Sequence, residues 1–124
     1  MFQVLTIAAG GAIGALMRFW VSNGIYGVFG RGFPYGTLTV NVLGSLVMGF
    51  LYILFLERMS VSPEIRGALL VGFLGAFTTF STFSIETINL IEQADFVKAG
   101  LNMFLSVSAC VLACWAGVIL GRQL

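Results

Sequence analysis

The sequence predicts an all-α membrane protein built from four transmembrane helices. The first observation is composition. Hydrophobic residues make up 59% of the 124-residue chain and charged residues 9%, with a mean hydropathy of +1.04. A soluble domain carries about 25% charged residues. The second is punctuation: residues 32–56, 67–85 and 99–121 carry no charge, and a helix that crosses a bilayer needs about 20 apolar residues. The third is small residues recurring every four positions, the spacing that lets helix backbones approach closely in lipid. The length suits one domain, 1–124, with helices at roughly 3–28, 35–56, 66–91 and 98–121. A net charge of +1 gives no electrostatic case for a nucleic-acid partner. Histidine is absent, and no Ser or Cys has an evident base partner, so an enzyme is disfavoured.

The first span, opening "MFQVLTIAAGGAIGALMRFW", lacks a basic lead and is too long for a signal sequence, so it reads as a retained helix. Gly10/Gly14 and Gly11/Ala15 supply its small faces. Arg18 lies within it or near its end, and three roles stand open: snorkelling to the interface, an anion-attracting vestibule, or a partner for Glu86. "GRGFP" breaks the chain before the second span. That span carries Thr37, Thr39 and Asn41, with Ser45/Gly49 as its small pair. A membrane asparagine serves either as packing glue or as part of a site. In "ERMSVSPEIR", Ser62 is a candidate N-cap and Pro63 a first helical residue for the third span, which "EQAD" closes. The fourth span carries a ladder of Ala109, Ala113, Gly117 and Gly121. Cys110 and Cys114 sit four apart there, as small thiols on one helix face. Neighbouring helical turns orient them badly for a disulfide, and two ligands are too few for zinc.

The third span holds the anomaly. "TTFSTFS", Thr78 to Ser84, places five hydroxyls and two phenylalanines where the chain should be deepest in lipid. At about 100° per residue, Phe80 and Phe83 share one face, and Thr79, Thr82 and Glu86 fall on its neighbour. Gly75 followed by two threonines suits an unbroken helix poorly. Two readings stand. In one, the helix is straight and its threonines bond back to the preceding turn. In the other, it breaks, which is tolerated at membrane depth only where the backbone lines water, binds an ion or is buried in protein, and the freed carbonyls become hard oxygen ligands. The rings divide the same way, between plain packing and chemistry. An aromatic ring has a positive edge; with amide and hydroxyl donors beside it, such an edge can replace the water around a small anion without adding a net charge that would trap it.

Orientation is weakly specified. Arg58, Arg66 and Arg122 fall on the side of the termini; Arg31 and Lys98 fall on the other, joined by Arg18 if it lies toward that end. Membrane proteins orient by a Lys/Arg bias in short loops. A chain with almost none is able to insert both ways up, which permits an antiparallel homodimer.

Three segments together carry a resemblance. "FGRGFPYGTLTVNVLGS" resembles the P-x-G-T-L-x-x-N-x-x-G pattern of the Fluc (CrcB) fluoride channels, "GFLGAFTTFSTFSIE" their third-helix signature, and "GGAIGALMRFW" their first-helix segment ending in Arg. The resemblance covers almost the whole chain. It implies a dual-topology, antiparallel homodimer in the bacterial cytoplasmic (inner) membrane, with a third helix broken near its middle and two pores that export fluoride passively. It implies that Phe80 and Phe83 form a phenylalanine box, that Asn41 is the pore asparagine, that Ser81, Thr82, Thr79 and Thr39 belong to the polar track, and that Arg18 is the family arginine. It further implies that backbone carbonyls of Gly75 and Thr78, two from each subunit, hold a central structural sodium ion. The chain departs from the family pattern at Cys110, often serine, and at Ser106, often a larger polar group. The main rival is a small multidrug-type four-helix dual-topology transporter. That chemistry needs a membrane-embedded acid in the first helix, and no Asp or Glu precedes Glu57. A non-transporting membrane assembly factor is a further rival, which the small-residue faces alone would allow.

Overall fold

The computed structural model describes residues 2–124. The first helix, α1 (Phe2–Phe29), runs without interruption. It stops at Gly30, whose φ of +80° is left-handed and whose N–H closes on the Tyr26 carbonyl at 2.8 Å; glycine adopts that conformation without a Cβ clash. The second, α2 (Tyr35–Arg58), is regular over Tyr35–Ile53 and widens over Leu54–Arg58. The widening shows in the bond from Met59 N–H to the Leu54 carbonyl at 2.8 Å, one residue further back than in an α-helix.

The third span, Pro63–Glu92, is two helices rather than one. Ser62 caps its start, its hydroxyl accepting from Ile65 N–H at 3.2 Å, with Pro63 in the first turn. From there α3 (63–77) runs inward, widened over Gly67–Leu74. Thr78 (φ −87°, ψ 157°) and Thr79 (φ −152°, ψ 118°) are extended, and α4 (Phe80–Glu92) resumes beyond them. The straight-helix reading of this span is therefore excluded. The last helix, α5 (Phe96–Gln123), completes the chain. All four spans are long and apolar enough to cross a membrane, as the composition and the charge punctuation predict.

Packing is pairwise. α1 lies chiefly along α3, and α2 chiefly along α5, while α4 rests on α5 and only lightly on α2. The small residues set these contacts. A Cβ at Gly14 would strike the Phe73 carbonyl, and one at Gly117 would strike the Leu46 carbonyl. Two of the stripes seen in the sequence thus serve contacts within one chain, where van der Waals fit replaces the hydrophobic effect as the force holding helices together. The charged groups gather at the two ends. Arg122 meets Glu57 at 3.4 Å, and Arg58 donates to the Arg122 carbonyl. At the opposite end Lys98 donates to the Gly32 carbonyl at 3.1 Å, and the Arg31 guanidinium lies 4.3 Å from the centre of the Tyr26 ring.

Candidate functional site

Asn41 of α2 holds the break open. Its Nδ2 donates to the Thr79 carbonyl at 3.0 Å and its Oδ1 accepts from Thr79 N–H at 2.7 Å. A carboxamide matches a peptide group in both donor and acceptor, so this side chain satisfies the backbone of a residue that has left the helix. The Thr79 hydroxyl then caps α4, accepting from Thr82 N–H at 3.2 Å. In an unbroken helix those two N–H groups would serve the carbonyls of Gly75 and Thr78. With both donors diverted, these two carbonyl oxygens lose their helical partners. They are the pair that the resemblance assigns to a cation, and hard cations take oxygen ligands of this kind. The Thr78 hydroxyl bonds back to the Leu74 carbonyl at 3.0 Å, ending α3 cleanly.

Beside the break lies a cleft of about 380 Å3 between α2, the start of α4 and α5. Asn41, Thr79, Phe80 and Phe83 form one wall, with Ser45 and Met48 on α2 and Ser106, Cys110 and Cys114 on α5. No charged side chain lines it. The two rings lie 5.1 Å apart with their planes tilted by 44°. Their burial differs sharply: Phe83 is 8% exposed and Phe80 is 75% exposed. Ser81 and Thr82 stand a little away, within a hydroxyl cluster centred on Thr79 Oγ1, at 3.2 and 3.1 Å from it. Thr39 bonds to the Tyr35 carbonyl of its own helix at 2.7 Å. Neither Ser81, Thr82, Thr39 nor Arg18 lines the cleft, so the sequence-read track comes together only in part within one chain.

A residue that the sequence reading passed over extends this polar seam. Asn102, 1% exposed, donates from Nδ2 to the Thr87 hydroxyl at 2.9 Å and accepts from the Ser106 hydroxyl at 3.3 Å. Thr87 in turn donates to the Phe83 carbonyl at 2.8 Å. The ladder fixes α4 against α5 and carries hydrogen-bonding groups from the cleft toward the Lys98 end. An asparagine inside the uncharged stretch 99–121 was the available signal.

Arg18 and Glu86 do not pair. Glu86 Oε2 accepts from the Tyr26 hydroxyl at 2.7 Å, and that hydroxyl also lies 3.2 Å from Thr37 Oγ1. Among the described residues, Glu86 Oε1 and Arg18 Nε are both buried without a hydrogen-bond partner.

Four apolar spans, a break clasped by an amide and an uncharged cleft beside it define a small multi-pass membrane protein whose polar groups face one another inside the bundle. Polar groups at that depth are costly and mark ion or substrate pathways. The chain belongs to the CrcB family: the family described as "CrcB-like protein, Camphor Resistance (CrcB)" matches residues 5–118. It is 56% identical over 122 residues to the fluoride-specific ion channel FluC of Methylococcus capsulatus, covering 98% of this chain and 54% of that protein. It is 52% identical to the FluC of Magnetococcus marinus, covering 97% of this chain and 98% of the relative. With the FluC of Geobacter sulfurreducens it shares 45% identity over the full length of both. The chain thus spans about half of the Methylococcus relative and nearly all of the other two. The family is one of ion channels, not of enzymes.

Proposed function

We propose that this protein is a passive fluoride channel of the bacterial cytoplasmic membrane, working as an antiparallel homodimer with two pores. The observation that carries the reading is the cleft: amide and hydroxyl donors and two aromatic rings at a helix break, with no charged group among its walls. A small anion entering a dry path must exchange its water for such donors. Asn41 keeps one amide proton free after clasping Thr79. The Phe80 and Phe83 edges add positive potential without adding charge. The absence of an acid from the cleft argues against proton-coupled exchange and against the multidrug-transporter reading. The relatives named above as fluoride-specific channels supply the ion.

Three features support a second copy. Ser81 and Ser84 are exposed beside the 75%-exposed Phe80, and their hydroxyls are an unfavourable surface to show to lipid. Arg18 Nε lacks a partner among the described residues. The freed Gly75 and Thr78 carbonyls supply two oxygens, well short of the roughly six that a hard cation takes, so two chains or water must complete such a shell. A sodium ion held by these carbonyls would brace the break, which Asn41 already fixes through Thr79.

The test is efflux from proteoliposomes without a proton gradient. Fluoride leaves rapidly and chloride hardly at all. Equal rates for the two anions sink the reading. Replacing sodium on both sides by a large organic cation lowers the fluoride rate, whereas an unchanged rate removes the cation from the proposal.

A further inference from the structure

The cleft holds a set of soft donors that fluoride does not use. Cys110 and Cys114 are both free and half-buried, and both line it, with the Met48 thioether on the facing wall. α2 and α5 are in backbone contact at this level, since a Cβ at Gly49 would meet the Cys114 carbonyl. These are the chain's only cysteines.

Their spacing selects the chemistry. Side chains four apart on a helix have Cβ atoms about 5–6 Å apart. A disulfide needs about 3.5–4.5 Å, so the pair does not close on itself. A metal bridging two thiolates with bonds of about 2.3 Å spans up to about 4.6 Å between the sulfurs, a span that two side chains with this Cβ spacing can reach by turning their sulfurs toward each other. Zinc would require further ligands, and the only other sulfur at the cleft is a thioether. A soft cation content with two sulfurs needs nothing more. Charge makes the same choice: a divalent ion held by two thiolates is neutral overall, which an apolar cleft accepts, whereas a net charge there is costly.

We propose that Cys110 and Cys114 form a site for a soft, two-coordinate divalent cation of the mercuric type, with Met48 as a weak third contact, and that its occupation closes the cleft to anions. Binding breaks two S–H bonds, forms two S–metal bonds and releases two protons to water, with no change of oxidation state. The second half of the proposal rests on the channel reading and the first half does not.

The experiment uses mercuric chloride on the purified dimer and on proteoliposomes. Wild-type protein binds one mercuric ion per chain, read as loss of titratable thiol and as sulfur-to-mercury charge-transfer absorption. Its fluoride efflux falls to near the rate of empty vesicles and returns on adding dithiothreitol. Cys110→Ser/Cys114→Ser protein binds none, and its efflux, whatever its own starting value, is insensitive to mercury. Each single variant binds more weakly and is blocked at higher concentration. Equal binding by wild type and the double variant overturns the site, and bound metal that leaves wild-type efflux unchanged overturns the block. The binding arm gives its answer even if the protein conducts no fluoride, so the failure of the site and the failure of the channel reading are separable.

Discussion

At the scale of single residues, the two phenylalanines and Asn41 pose a question that burial helps to answer. Phe83 is buried and Phe80 is not. Truncating Phe83 to alanine would cost about 3–5 kcal/mol for a buried ring and confound any reading of flux. Phe→Ile keeps apolar bulk and should cost under about 1.5 kcal/mol. If the ring edges meet the anion, Phe80→Ile and Phe83→Ile proteins remain assembled and lose most of their fluoride efflux; normal efflux would make the rings packing elements. Asn41→Asp combines two effects. It removes the donor to the Thr79 carbonyl and, when ionised, places a negative charge beside the cleft. We expect a loss of about 1–3 kcal/mol from the broken clasp, read by thermal unfolding in detergent, together with loss of efflux. The sequence singled out both Asn41 and Thr79 but not the bond between them, because a bond between residues 38 apart leaves no local signature. Asn102 escaped for a related reason: its partner Thr87 is 15 residues away, and a lone asparagine with Ser106 one turn on reads as ordinary helix packing.

At the scale of elements, the number, order and approximate ends of the helices were legible, since apolar length and charge placement depend on the bilayer alone. The break was legible only as one of two alternatives. Gly75 and the threonines weaken a helix, but what removes the straight form is Asn41 taking the Thr79 N–H, a tertiary competitor that propensity does not contain. The widened turns at Leu54–Arg58 and Gly67–Leu74 left no sequence signal that we can identify. Two predictions belong here. Thr79→Ala removes the cap of α4 and should cost about 1 kcal/mol, whereas Thr79→Ser should keep it, as unfolding of the two variants will report. Thr78→Ser should be tolerated, because its proposed contribution is a backbone carbonyl. Gly44→Ala should not be, since the new methyl would run into Thr78 Cγ2 and come within 3.2 Å of the Phe77 ring. Serine at 78 lacks that methyl, so Gly44→Ala/Thr78→Ser should be more stable than Gly44→Ala alone. A double variant no better than the single would mean that the Phe77 ring sets the limit.

At the scale of the whole molecule, the proposed antiparallel dimer turns on which way up the chain sits. Arg58 and Arg122 gather at one end and Arg31 and Lys98 at the other, so the near balance counted in the sequence is also a balance in space, with Arg66 and Arg18 the unpaired remainder. Without a decisive bias, both insertions should occur. A C-terminal reporter should therefore be found on both sides of the membrane, and a reporter confined to one side would contradict the antiparallel dimer. A stronger test alters the balance at exposed positions. Met59→Lys/Ser60→Lys adds two charges to the end that holds Arg58, and Gly32→Lys/Gln93→Lys adds two to the opposite end; all four sites are exposed, and a side chain at Gly32 meets nothing within 4 Å. Each variant alone should insert in one orientation and, lacking an inverted partner, give little fluoride efflux. Expressed together they should supply each other's missing orientation and restore it. A parallel dimer or a monomer predicts something else: each variant conducts alone, and co-expression adds nothing beyond the sum. Because the added lysines lie outside the spans and away from the cleft, recovery on co-expression would locate the defect in assembly and not in the pore.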